Sequence, residues 1–252
     1  GGDYRFRNDL ALGAAIGCAN AQADYNNTGG ELESDSLIYT LYGTYFTDRL
    51  YIDVLASTGG IDFDSARTLN FDDAAGGVDT TAIGQTDGDQ RILSANFGLN
   101  FDRGGWLFVP FLGYDYLDTQ IDAFTETQGQ GWELAFDEQK VQSQIISAGL
   151  RTSYTHSASW GVLIPHLRIA SQHELEDDLR VITARFAFDP GDTRFRFFTD
   201  APDSSFFQVA AGVSAVFENG VSAFVDYETL TGYNNLTSST LTLGLRFERR
   251  FK

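Results

Sequence analysis

The chain has 252 residues, 35 Asp and Glu against 17 Lys and Arg for a net charge of −18, and 21 Phe, 11 Tyr and 26 Gly beside 4 Pro and a single Cys. That acidity speaks against a nucleic-acid partner, which needs a basic surface, and one cysteine excludes an internal disulfide. No uninterrupted apolar run approaches the about 20 residues of a membrane-spanning helix, which leaves a membrane barrel open because its strands are only half apolar.

Read for period two, the sequence predicts eleven crossings over roughly 1–7, 10–24, 35–47, 50–62, 90–102, 106–118, 140–155, 160–172, 206–217, 220–229 and 238–251. The first, Gly1-Gly-Asp-Tyr-Arg-Phe-Arg7, reads as a strand interior and not as a signal peptide, so the chain is expected to be a processed or excised piece of something longer. In the second, Cys18 shares a face with Leu12, Ala14 and Ile16, where it acts as a small hydrophobe. Further on, Leu93, Ala95, Phe97, Leu99 and Phe101 oppose Ser94, Asn96, Gly98 and Asn100. Ile146, Ala148, Leu150, Thr152 and Tyr154 oppose Ser147, Gly149, Arg151 and Ser153, and Val209, Ala211, Val213, Ala215 and Phe217 oppose Gln208, Gly212 and Ser214. The last crossing sets Leu241, Leu243, Leu245, Phe247 and Phe251 against Thr240, Thr242, Arg246, Glu248 and Arg250.

The connections alternate in kind. Those at Arg7–Leu10, Thr47–Arg49, Asp102–Gly105, His156–Ser159 and Glu218–Gly220 read as tight hairpin turns. Those over 25–34, 63–89, 119–139, 173–205 and 230–237 are long, polar and acidic. Short turns on one side and long loops on the other are the pattern of outer-membrane barrels, and a sandwich has no reason to sort its loops by length. Charge in the middle of the polar faces agrees: Asp53, Asp115, Arg151, Arg168, Asp226, Glu228 and Arg246 would each cost several kcal/mol unpaired in a dry core, but not in a watery lumen. The sequence therefore predicts an all-β, antiparallel up-and-down transmembrane barrel forming one domain over 1–252, with the Leu and Phe of its last strand in lipid.

Gly2-Asp-Tyr-Arg-Phe6 with Leu12-Gly-Ala-Ala-Ile-Gly17, Tyr39-Thr-Leu-Tyr-Gly-Thr-Tyr45, Pro165-His-Leu-Arg-Ile-Ala-Ser-Gln-His-Glu174, and Ala211-Gly-Val-Ser-Ala215 with Phe217-Glu-Asn-Gly220 add a family likeness, joined by the closing Leu243-Gly-Leu-Arg-Phe247. In order and spacing, over nearly the whole chain, these stretches resemble the β-domain, or translocator, of autotransporters, the type V secretion proteins of Gram-negative bacteria. The resemblance implies a twelve-stranded outer-membrane barrel that anchors, and helps export, an N-terminal passenger, with a helical linker in its pore. It implies contact with outer-membrane lipid and lipopolysaccharide, a periplasmic C-terminus and extracellular long loops. It also implies insertion by the barrel assembly machinery, which reads a C-terminal strand ending in an aromatic; Leu243, Leu245, Phe247 and Phe251 would form that signal, although Lys252 trails it. Eleven crossings fall one short of the family's twelve. With the C-terminus in the periplasm, 1–7 matches the family's second strand, so the first strand and the linker are expected upstream of Gly1. The alternative, that 180–188 is a crossing, breaks the loop alternation. A free-standing channel or porin-like barrel is the competing function, and an adhesive barrel using its outer loops a third.

By alternation, Asp3, Arg5, Asp53, Asp115, Arg151, Arg168, Glu174, Asp226, Glu228 and Arg246 line the lumen, either to position a linker and keep the channel wet or as ordinary cross-strand pairs. Asp62, Asp64, Asp72, Asp73, Asp79, Asp87 and Asp89 crowd one long connection without the spacing of a calcium loop, and read as solvated loops, bridged to lipopolysaccharide by divalent ions. His156, His166 and His173 have no metal-ligand spacing, so neither a metal nor a cofactor is expected. No nucleophile-elbow pattern is present, and the chain reads as a non-enzyme. Tyr4, Phe6, Tyr45, Trp106, Tyr154 and Trp160 lie near the short turns, as an aromatic girdle would.

Overall fold

Residues that are apolar on one parity and polar on the other cannot bury themselves as helices, and β-branched and aromatic side chains fit a pleated surface. The computed structural model describes residues 1–25, 29–73, 76–217, 220–234 and 236–247, and every element among them is a strand. The seventeen strands are β1 (Gly2–Arg7), β2 (Leu10–Tyr25), β3 (Gly30–Phe46), β4 (Leu50–Asp73), β5 (Gly76–Leu99), β6 (Phe101–Arg103), β7 (Trp106–Ile121), β8 (Phe124–Thr125), β9 (Leu134–Phe136), β10 (Gln139–Tyr154), β11 (His156–Ala158), β12 (Gly161–Glu174), β13 (Val181–Phe186), β14 (Arg194–Phe198), β15 (Ser205–Phe217), β16 (Val221–Thr231) and β17 (Ser239–Phe247). Eleven of them form one antiparallel meander in chain order, β1-β2-β3-β4-β5-β7-β10-β12-β15-β16-β17, with β6 prolonging the sheet beside β7 and β11 beside β12. The sheet curls until its two edge strands face each other: Arg246 Nη2 on β17 lies 2.9 Å from Asp3 Oδ1 on β1. Among the described residues no ladder joins those two strands.

The outer face is greasy and bare. Leu41 is 68% exposed, Leu243 72% and Phe247 75%, and no large described side chain is fully buried. A water-soluble chain of this length would bury most of its apolar surface; here that surface meets lipid. At the short-turn end Tyr4 packs edge-on to Phe6, Trp106 meets Phe108 and Tyr154, and Trp160 meets Phe217, an aromatic cluster at the edge of the apolar band.

On the inner face, rings lie over glycines directly across the ladder: Tyr42 over Gly13, Tyr51 over Gly98, Phe111 over Gly149 and Phe224 over Gly244. A Cβ at any of these glycines would overlap the ring, so the ring can lie flat only where the partner has no side chain. Gly98→Val is expected to displace Tyr51 at a cost of roughly 1–3 kcal/mol, the range for overpacking. A lowered urea midpoint of the refolded barrel checks it; an unchanged midpoint would show that the ring is not held there.

Two expected loops turn out to be ladder. β4 and β5 are each 24 residues long and stay in register from Leu50↔Leu99 to Asp73↔Gly76, where the sequence reading had a loop over 63–89. At about 3.3 Å per residue such strands are roughly 80 Å long, far more than a tilted crossing needs. β2 and β3 likewise run to Tyr25 and from Gly30. The connections over 122–138 and 175–204 fold into a second sheet, β14-β13-β9-β8, so Val181–Phe186 is part of this cap and not a crossing. Between β13 and β14, Asp189 accepts the N–H groups of Gly191 at 2.9 Å and Thr193 at 2.8 Å, and these bonds hold its carboxyl below the usual carboxylate range.

Candidate translocation lumen

The inner wall is polar because each strand turns its second parity inward, and its side chains meet across neighbouring strands. On β12, β15 and β16 the register stacks His166, Gly212 and Asp226 in one row and Arg168, Ala210 and Glu228 in the next. The small middle residue lets the outer two reach over it. His166 Nε2 lies 2.5 Å from Asp226 Oδ2, Arg168 pairs with Glu228, and a Cβ on Gly212 would crowd both His166 and Asp226. Gln208 Nε2 donates to Glu228 Oε1 at 2.6 Å, and Gln172 Nε2 donates to Gln208 Oε1 at 3.3 Å.

Arg151 stands directly opposite Arg168, a like-charge pair that is unfavourable in isolation. It is relieved because each cation turns away: Arg168 to Glu228, and Arg151 towards β4, where its Nη2 donates to Tyr51 Oη at 3.3 Å and its guanidinium lies 5.5 Å from the ring centroid. Asp115 accepts Ser94 Oγ at 2.6 Å. Asp53 borders an opening of about 240 Å³ beside Ser94 and Asn96. Asp3 accepts both Arg246 Nη2 and, at 3.4 Å, Tyr42 Oη, while Arg5 lies 5.2 Å from the Phe46 ring centroid.

Of the ten side chains expected in the lumen, Glu174 has a different occupation. It is only 7% exposed, and it accepts Ser143 Oγ at 2.5 Å and the backbone N–H groups of Gln144 at 2.7 Å and Glu176 at 3.1 Å. It fastens the outer end of β12 to β10. Tyr51, Gln172, Gln208 and His166 belong to the wall networks but carry no sequence signal beyond their parity, since their partners depend on the register. Of the C-terminal positions, Leu243, Leu245 and Phe247 are exposed on the outer face; Phe251 lies outside the described residues.

A curled antiparallel sheet, greasy outside and charged inside, defines an outer-membrane β-barrel. Within that class the chain belongs to the autotransporter β-domain family, whose profile ("Autotransporter beta-domain") matches residues 1–228. It is similar in fold to the translocator domain of the autotransporter NalP from Neisseria meningitidis, at a TM-score of 0.71 and 18% identity, with 96% of this chain and 76% of that one covered. The β-domain of the Bordetella autotransporter BrkA matches at 0.57 and 14% identity, covering 96% and 93%. The chain is thus an outer-membrane translocator barrel serving passenger export; the free-standing channel is not favoured.

Two relatives correct one expectation. Proteins named Esterase EstA from Pseudomonas aeruginosa and Pseudomonas putida are each 25% identical over 251 residues, 98% of this chain. The chain spans only 38% of their length. The reading as a non-enzyme rested on the absence of a nucleophile elbow within these residues, and a match to proteins named for an enzymatic activity overturns it.

Proposed function

We propose that these residues form the membrane part of a longer polypeptide whose exported portion is an ester hydrolase. The relatives' name supports the activity, and their greater length supports an additional portion. In this reading the short turns and the C-terminus lie in the periplasm, and the outer half of the β4–β5 hairpin and the cap sheet lie outside the cell. The assembly machinery reads Leu243, Leu245 and Phe247, while lipid and lipopolysaccharide surround the greasy face. The charged lumen keeps the exit path wet.

The observation that carries the closure of the barrel is the Arg246–Asp3 contact between edge strands that share no ladder among the described residues. Strands separated by one intervening strand lie about 10 Å apart, a gap that an arginine and an aspartate reaching towards each other can span. One further strand, supplied from upstream, fills it and satisfies edges that hydrocarbon would otherwise leave unpaired. Residues 1–252 alone are expected to reconstitute poorly, whereas a version extended through the upstream strand gives a heat-modifiable band. A heat-modifiable, closed barrel from 1–252 alone would refute the closure.

Orientation has its own check. Protease added to intact cells is expected to cut near Gly76, at the tip of β4–β5, and to spare Asp48 and Gly104. Cutting only at the latter two would invert the topology.

A further inference from the structure

The inner and outer faces exchange character partway up the sheet. On β4, Ile52, Val54 and Ala56 point outward in the membrane part; higher up, Asp62 and Asp64 point outward while Ile61 and Phe63 point inward. β3 repeats the switch, with Leu37, Tyr39 and Leu41 outward but Glu31, Glu33 and Asp35 outward above them and Leu32 inward. Beyond the lipid the outward solvent is water, which accounts for the carboxylates. It does not account for apolar residues on the inner side, where the wall below is charged.

Of those inward residues, Leu32 and Phe63 line a cavity. Tyr25, Leu32, Phe63 and Ile121 of the barrel face Phe124, Phe136 and Ile182 of the cap across about 510 Å³. All four barrel residues share the lumenal parity of their strands, so the cavity lies on the lumenal side of the sheet, at its long-loop end. Polar groups also border it, and most of them have partners: Thr86 Oγ1 donates to Asp122 O at 2.9 Å, Ser65 Oγ to Gly84 O at 3.4 Å, and Arg67 is paired with Glu126, with Gln139 beside them. Gly84 is required here, since a Cβ would strike both Phe124 and Ser65. Interiors pack with few voids larger than a water molecule, so a space of this size is not the core of the cap. It has the volume and apolar lining of a ligand site.

We propose that this vestibule binds bulky apolar side chains of the exported polypeptide as it leaves the pore, holding the emerging segment at the mouth. The inference rests on the translocator reading and adds a specificity to it: the wet wall below lets the chain pass, and the apolar mouth retains aromatic or branched residues. The occupant is a polypeptide because the barrel-side residues of the cavity carry the lumenal parity of their strands and are turned from the lipid face.

The test uses the complete protein in the outer membrane, with p-benzoylphenylalanine replacing Phe63 or Phe136, or, as a control, Phe198 on the opposite face of the cap sheet. Irradiation is expected to join positions 63 and 136 to peptides of the same polypeptide outside 1–252, and position 198 to none. Adducts at 63 and 136 confined to residues 1–252, or to lipopolysaccharide, would overturn the proposal. Phe63→Glu, in a barrel that remains heat-modifiable, is expected to delay surface appearance of the exported portion several-fold, and Phe198→Glu to leave it unchanged; undelayed export in folded Phe63→Glu also overturns it. If instead the exported portion reaches the surface without the barrel at all, it is the translocator reading that fails.

Discussion

Leu150→Arg is expected to cost about 2–4 kcal/mol, the range for a cation at the midplane of an outer-membrane barrel. Leu150 sits mid-strand on β10, opposite Pro110 and Ile169, and is 46% exposed on the greasy face, so an arginine there has only lipid to meet. Its counterpart must lie on the inner face with room for the side chain. Ser147 has the right parity but is 4% exposed, bonded by Gln172, and too enclosed to serve. Asn96 is better, since it stands opposite Asp53 beside open space, and an arginine there gains a carboxylate neighbour. Urea unfolding in lipid should separate the two variants clearly. Equal midpoints for Leu150→Arg and Asn96→Arg would mean that the faces are assigned wrongly.

The second large effect lies outside the membrane. Glu126 has a side chain only 3% exposed, held by Arg67 through Nε–Oε1 at 2.9 Å and Nη2–Oε2 at 2.5 Å. Arg67 also donates to Trp132 O at 3.0 Å, and Glu126 accepts Leu134 N–H at 2.8 Å. This pair, with the Ile83–Thr127 bridge, ties the cap to the β4–β5 hairpin. Arg67→Ala leaves a buried carboxylate without its cation, which costs about 3–5 kcal/mol in comparable cases. The loss should fall on the cap alone, because the cap is a separate sheet. Hydrogen exchange at the amides of Leu134 and Ala135 should accelerate while the β10–β12 ladder stays protected, and Glu126→Gln added to Arg67→Ala should recover part of the loss. Unchanged protection at Leu134 would mean that the pair does not hold the cap.

Where a strand has lipid on one side and water on the other, its sequence shows it. The crossings expected over 140–155 and 160–172 differ by a residue or two from Gln139–Tyr154 and Gly161–Glu174. The outer half of β4 escaped because the alternation does not stop at Ile61 but reverses phase, and a pattern that inverts reads as a pattern that ends; the facing half of β5, with Gly84, Thr86, Gly88 and Gln90 inward, has too few apolar residues to show a period. The cap escaped for another reason: β8 is only two residues long and β9 three, below any usable period. On the inner parity, Arg168, Asp226 and Glu228 were expected as charged positions, and each has a cross-strand partner. Their partners were not legible, since the meeting of His166 with Asp226 depends on the pairing of β15 with both its neighbours and on Gly212 between them.

In the proposed function this barrel takes the rest of a longer polypeptide to the cell surface. It is tested most directly by measuring surface esterase activity and antibody access to the upstream portion in intact cells, for the complete protein and for the same protein lacking residues 1–252. Both signals are expected from the complete protein and neither without the barrel. Equal surface signals with and without these residues would contradict it.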